Sequence, residues 1–138
     1  MKKILALDVG DRRVGVAFSS TFIANPVETY VRKGDQTDHR HIAALAREMG
    51  AELIVAGLPR NMDGSEGGQA EKARDFAEKA AALAGIPCLM WDERLSSVTA
   101  NAVLSQNGVK GRKRRQYVDR IAAVVILQNY LDYKGEGL

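Results

Sequence analysis

Apolar positions in the first third of the chain alternate with polar ones or run together over short stretches, and then shift to helical spacing. Lys3 to Val9, Val14 to Ser19 and Val27 to Arg32 read as three strands, the last beginning after Pro26. The short Gly10-Asp11-Arg12-Arg13 link makes the first two an antiparallel hairpin. From Asp38 the period changes: Ile42, Leu45, Ala46 and Met49 recur on one helical face and stop at Gly50, a residue suited to terminating a helix. Leu53-Ile54-Val55-Ala56-Gly57 is a fourth, buried strand. Leu58 to Gly68 holds Pro59, Asn61, Gly64, Gly67 and Gly68 and reads as a loop. Gln69 to Ala84 predicts a helix with Ala70, Ala73, Phe76, Ala77, Ala80 and Leu83 on its apolar side, ended by Gly85 and Pro87. Pro87 to Trp91 predicts the fifth strand. Ser96 to Gln106 is a further helix capped by Ser96 and stopped at Asn107-Gly108, and Val118 to Tyr133 is the last.

This order gives three strands, then helix, strand, helix, strand, helix, helix. Hairpin links impose antiparallel pairing early, and strand-helix-strand units impose right-handed parallel crossovers later. The expected fold class is α/β, a five-stranded mixed sheet with helices on both faces, which resembles the ribonuclease H-like fold. In that fold the first strand is central, and acids from it, from a later strand end and from a C-terminal helix meet at one sheet edge.

With 138 residues, 46% of them hydrophobic, residues 1–138 are expected to form one domain around a continuous core. No apolar stretch approaches the roughly 18 residues needed to span a bilayer. Met-Lys-Lys leads only into a short apolar strand with no small-residue cleavage site, so the expected location is the cytoplasm, without a membrane. Cys88 is the lone cysteine, which excludes an internal disulfide, and its apolar surroundings make it a buried hydrophobe rather than a nucleophile.

The net charge of +3 is mild, but it is local. Lys110, Arg112, Lys113, Arg114 and Arg115 crowd one window without an acid, leaving 15 basic against 17 acidic residues elsewhere. Such a window is either a solvated loop or a contact for a phosphate backbone.

Asp8 ends the first apolar run with no basic residue inside that run. An ionised carboxylate withdrawn from water costs several kcal/mol even after relaxation, so it persists where it is paired, hydrogen-bonded or bound to metal. Glu93, just past the fifth strand, and Asp119, at the start of the last helix, occupy comparable places. Taken singly each has a plain alternative: Asp8 as a turn former, Glu93 as a surface partner of Arg94, Asp119 as a first-turn acid complementing its helix dipole. Converging, the three would form a divalent-metal site. An oxygen-only donor set, with no useful histidine or cysteine cluster, suits Mg2+ or Mn2+ rather than Zn2+.

Four segments together carry a family resemblance. They are Leu7-Asp8-Val9-Gly10 with Arg13-Val14-Gly15-Val16-Ala17, Val55-Ala56-Gly57-Leu58-Pro59-Arg60-Asn61-Met62-Asp63-Gly64-Ser65, Asp92-Glu93-Arg94-Leu95-Ser96-Ser97, and Val118-Asp119-Arg120-Ile121-Ala122-Ala123. In this order and at these separations the chain resembles, over nearly its whole length, the YqgF/RuvX-type nucleases, described as Holliday junction resolvases and as nucleases of precursor 16S ribosomal RNA. The resemblance implies a hydrolase of phosphodiester bonds with Asp8, Glu93 and Asp119 as metal-holding catalytic acids. Two ions about 4 Å apart would activate water and stabilise the leaving oxygen. Nucleic acid is the implied partner, either a structured RNA precursor in ribosome biogenesis or a branched DNA, and the protein would be a monomer or homodimer.

Ala122 and Ala123, one turn beyond Asp119, leave room for metal and phosphate. Asp92 and Glu93 point to opposite faces if the strand continues, and the family pattern favours Glu93, with Asp92 in a supporting place. Arg12 and Arg13, beyond Asp8, and Asn61 and Asp63, in the Gly-rich loop, are expected at the substrate mouth together with Lys110, Arg112, Lys113, Arg114 and Arg115. Surface charge and a simple Asn-Met-Asp-Gly turn are the respective alternatives. His39 and His41 cannot share a helix face, so they read as solvated residues rather than a zinc pair. Two other classes compete. The Asp8-Val9-Gly10 hairpin also resembles the phosphate loop of the sugar kinase, heat-shock ATPase and actin group, which needs a second domain for which this chain has no room. A non-catalytic RNA-binding module would use the basic window and the Gly-rich loop, and metal-dependent cleavage separates it from a nuclease.

Overall fold

The strands β1 (Ile4–Val9), β2 (Arg13–Ser19), β3 (Asn25–Val31), β4 (Leu53–Leu58) and β5 (Cys88–Asp92) form one sheet in the order β3-β2-β1-β4-β5. The computed structural model describes residues 2–59, 67–92 and 111–136, with side chains omitted for 111–120 and 134–136. β1 and β2 pair antiparallel with Asp8 opposite Gly15, and β2 pairs antiparallel with β3. β4 lies parallel to β1 on its other side, and β5 parallel to β4. The expected mixed sheet, with β1 at its centre, is therefore the observed one.

Burial of the sheet on both sides accounts for its runs of apolar residues, because successive side chains on one strand serve opposite cores. Leu5, Leu7, Val14, Val16, Ile54 and Ala56 pack with Ile42, Ala46, Phe76 and Ala80 of the helices α1 (Gln36–Met49) and α2 (Gly68–Ala84). Ile4, Ala6, Ala17, Leu53 and Val55 pack instead with Ala123, Ile126, Leu127 and Tyr130 of α3 (Gly111–Glu136). α1 and α2 end at Gly50 and Gly85, both at positive φ, where a side chain would be strained.

Three elements start two or more residues earlier than expected. β3 begins at Asn25 and includes Pro26, which an edge strand tolerates and which sits at a register shift opposite Val16/Ala17. α1 starts at Gln36, ahead of the apolar period, because Asp35 caps it by accepting from the Thr37 N–H at 2.8 Å. α3 starts at Gly111, so the Arg112 to Arg115 stretch expected as a loop is helical. Arginine and lysine are good helix formers, and the turns that follow are anchored by apolar packing. The expected helix Ser96 to Gln106 lies outside the described residues.

Candidate active site

Asp8 is half-buried on the central strand. It lies on the same face as Ile4 and Ala6, the face that α3 covers. Its lateral neighbours are glycines: Gly15 is its partner on β2, and Gly57 follows Ala56, the β4 partner of Leu7, so it stands level with Asp8. Neither lateral neighbour puts a side chain beside the carboxylate. β1, β4 and β5 all run to this edge, the usual place for a site in a parallel sheet.

α3 packs across this face of the sheet. Near its C-terminal half Gln128 accepts from the Ala24 N–H at 3.0 Å and donates to the Phe22 carbonyl at 2.9 Å, beside Asn25, whose partner is Phe18 at the Leu5 end of β1. Asp119 lies on α3, one turn before the buried Ala122 and Ala123. Asp92 pairs with Leu58 at the end of β5 and, two positions beyond Met90, lies on the α1/α2 face, opposite Asp8. Glu93, Asn61, Asp63 and Lys110 lie outside the described residues, as do the side chains of Asp119 and of Arg112, Lys113, Arg114 and Arg115. Among the described residues no three acid, histidine or cysteine side chains gather as a metal cluster.

The turn after Asp8 is heavily tied. Gly10 N–H donates to the Arg13 carbonyl at 2.8 Å, and a Cβ on Gly10 would come within 2.9 Å of that oxygen. Asp11 accepts from Gln69 Nε2 at 3.0 Å and faces Lys72 Nζ at 3.6 Å, both from the first turns of α2. The bond from Gln69 and the charge of Lys72 hold its carboxyl below the usual value. Arg12 is exposed, and Arg13, on β2 two positions before Gly15, lies on Asp8's face.

Asp38 escaped sequence reasoning. It is fully buried and accepts from Tyr30 Oη at 2.8 Å, Lys33 N–H at 2.8 Å and Gly34 N–H at 3.0 Å. Burial pushes its carboxyl up, but the bonds from Lys33, Tyr30 and Gly34 and the nearby Arg32 outweigh it and hold the group below its ordinary value. Burial, together with the bond to Asp38, pushes the Tyr30 hydroxyl up to about 12. Its signal was Asp35 and Asp38 three apart ahead of a helical run, a pattern close to a capping box.

The histidines depart from the solvated reading. His41 stacks on Tyr30 with centroids 4.2 Å apart and bonds Glu28 at 2.7 Å, while His39 packs on the Phe76 ring at 4.8 Å. Burial and the charge of Lys79 lower the His39 pKa. Cys88 is half-buried, and burial raises its thiol to about 11, well away from a reactive thiolate. Among the described residues no helix is long and apolar enough to cross a membrane.

A family model described as "RuvX: Holliday junction resolvase" matches residues 2–133. A curated protein of Syntrophus aciditrophicus named "Putative pre-16S rRNA nuclease" is 46% identical over 132 residues, covering 94% of this chain and 88% of that protein. One of Clostridioides difficile with the same name is 43% identical over 134 residues, covering 96% and 95%. Among solved structures, Thermus thermophilus RuvC in complex with Holliday junction substrate matches with a TM-score of 0.63 at 11% identity, covering 99% of this chain and 97% of that one. At that identity the likeness shows the ribonuclease H-like fold.

Proposed function

The chain belongs to the RuvX family of Holliday junction resolvases, hydrolases of phosphodiester bonds, and from that premise we propose that it cleaves precursor 16S ribosomal RNA at an acid site built around Asp8. The observation that carries the reading is the half-buried Asp8 carboxylate between Gly15 and Gly57 on the central strand, at the edge where β1, β4 and β5 end. RNA is preferred over branched DNA as substrate because relatives above 40% identity carry the precursor-RNA name, whereas the likeness to the junction-bound enzyme extends to fold. Maturation of such a precursor belongs to the cytoplasm.

The chemistry of the donors fits a hard cation. Asp8 offers carboxylate oxygen on a rigid strand beside two glycines, and His39 and His41 are engaged elsewhere. Asp8, Glu93 and Asp119 would hold Mg2+ or Mn2+, in a pair. Such ions, when bound, supply activation of the attacking water and charge stabilisation at the leaving oxygen. The protein's own contribution is positional. The central strand fixes Asp8, Arg12 and Arg13 would orient substrate phosphate at the adjoining turn, and Asn61 and Asp63 would steer the strand from the Gly-rich segment. Lys110, Arg112, Lys113, Arg114 and Arg115 would hold flanking phosphates.

The test is depletion of the protein in cells, with 16S ribosomal RNA ends and recombination intermediates mapped in parallel. Accumulation of 5′-extended 16S precursor, reversed by the wild-type protein, is the expected result. Accumulated branched DNA with normal RNA ends would instead assign the enzyme to junctions.

A further inference from the structure

Arg32 lies one residue past β3, and no part of the metal chemistry calls on it, yet it binds the turn that follows Asp8 at two places. Its Nη1 donates to the Gly10 carbonyl at 2.8 Å, and its backbone N–H donates to the Arg12 carbonyl at 2.8 Å. The side chain is about one-fifth exposed, and the guanidinium carbon stands 4.8 Å from the centroid of Phe76 of α2. Its Nε lies 3.5 Å from Asp38 Oδ2, an ion pair without a well-formed hydrogen bond. Asp38 is itself locked by Tyr30, Lys33 and Gly34.

We propose that Arg32 is a positioning residue for the active site: a strut from the buried Asp38 network that sets the β1–β2 turn, and with it the end of the strand carrying Asp8 and the placement of Arg12 and Arg13. This rests on the reading of Asp8 as a metal-holding acid. The guanidinium is required because one planar group reaches Gly10, Asp38 and Phe76 at once, whereas a lysine has a single nitrogen and cannot span the carbonyl and the carboxylate together. Gly10 is the sensitive point, since its tight bond to Arg13 leaves the turn no room to absorb a shift.

The test compares the full-length wild type with Arg32→Lys, Arg32→Met and the control Ala46→Gly, which loosens the α1 core without touching the turn. Amide hydrogen exchange is measured in metal-free protein, and Mn2+ affinity by electron paramagnetic resonance. Loss of a hydrogen bond from a charged donor corresponds to about tenfold or more. Exchange at Gly10 should therefore rise about tenfold in both Arg32 variants, and Mn2+ affinity should fall by a similar factor. The Arg32→Lys protein should keep wild-type exchange in the sheet core, and Ala46→Gly should leave Gly10 and Mn2+ binding unchanged. Unchanged Gly10 exchange in both variants, or a rise there matched throughout the core, overturns the strut. Absence of Mn2+ binding in the wild type would instead refute the metal reading of Asp8, with the strut still judged by exchange at Gly10.

Discussion

Asp92 is the last residue of β5, and Glu93 follows it in sequence. Asp92 lies on the α1/α2 face, away from Asp8, so a ligand contributed by this segment to the Asp8 face falls to the next position if the strand geometry continues. Glu93→Gln should lower metal-supported cleavage about 100-fold or more, since it removes charge where the transition state needs it. Asp92→Asn should change local stability and leave the metal dependence near that of the wild type. Titration of cleavage with Mg2+ or Mn2+ on one substrate distinguishes them, and loss of activity in a folded Asp92→Asn protein with retention in Glu93→Gln would move the site to Asp92. Asp8 was legible as an acid inside an apolar run. Asp38 was not, because its burial depends on Tyr30 and the Lys33-Gly34 backbone folding over it, an arrangement that leaves no periodic trace. The packing of the histidines was hidden for a related reason: their ring partners, Tyr30 and Phe76, come from other elements.

Strands and helices were readable where a period was strong, and shifted where local chemistry decided the ends. β1, β4, β5 and the body of α2 follow from buried runs and helical spacing. The starts of α1 and α3 do not, since one is set by the Asp35 cap and the other by basic residues that extend a helix without contributing an apolar stripe. That extension puts Arg112, Lys113, Arg114 and Arg115 on helical backbone rather than on the expected loop. Replacing all four with Ala should weaken nucleic-acid binding. It should also reduce the log-log salt dependence by about 0.7 to 0.9 for each phosphate that is no longer neutralised. Affinity measured across a series of salt concentrations checks this, and an unchanged slope would show that the segment does not engage the phosphate backbone.

At the scale of the whole molecule, the order β3-β2-β1-β4-β5 places the hairpin strand with Asp8 beside parallel strands that end at the same edge, and α3 covers one face of that sheet. This strand arrangement follows from hairpin and crossover rules, which is why the architecture could be derived from element order. The identity of the substrate could not, because phosphodiesters of RNA and DNA present the same charge to an acid site. The most direct measurement is cleavage of a 5′-extended 16S precursor by purified wild-type and Asp8→Asn proteins prepared identically, with and without Mg2+ or Mn2+, with folding checked by thermal melting. The wild type should cleave only with metal, and the folded Asp8→Asn protein should be slower by about 100-fold or more. Undiminished metal-dependent cleavage by the folded variant would contradict an active site centred on Asp8.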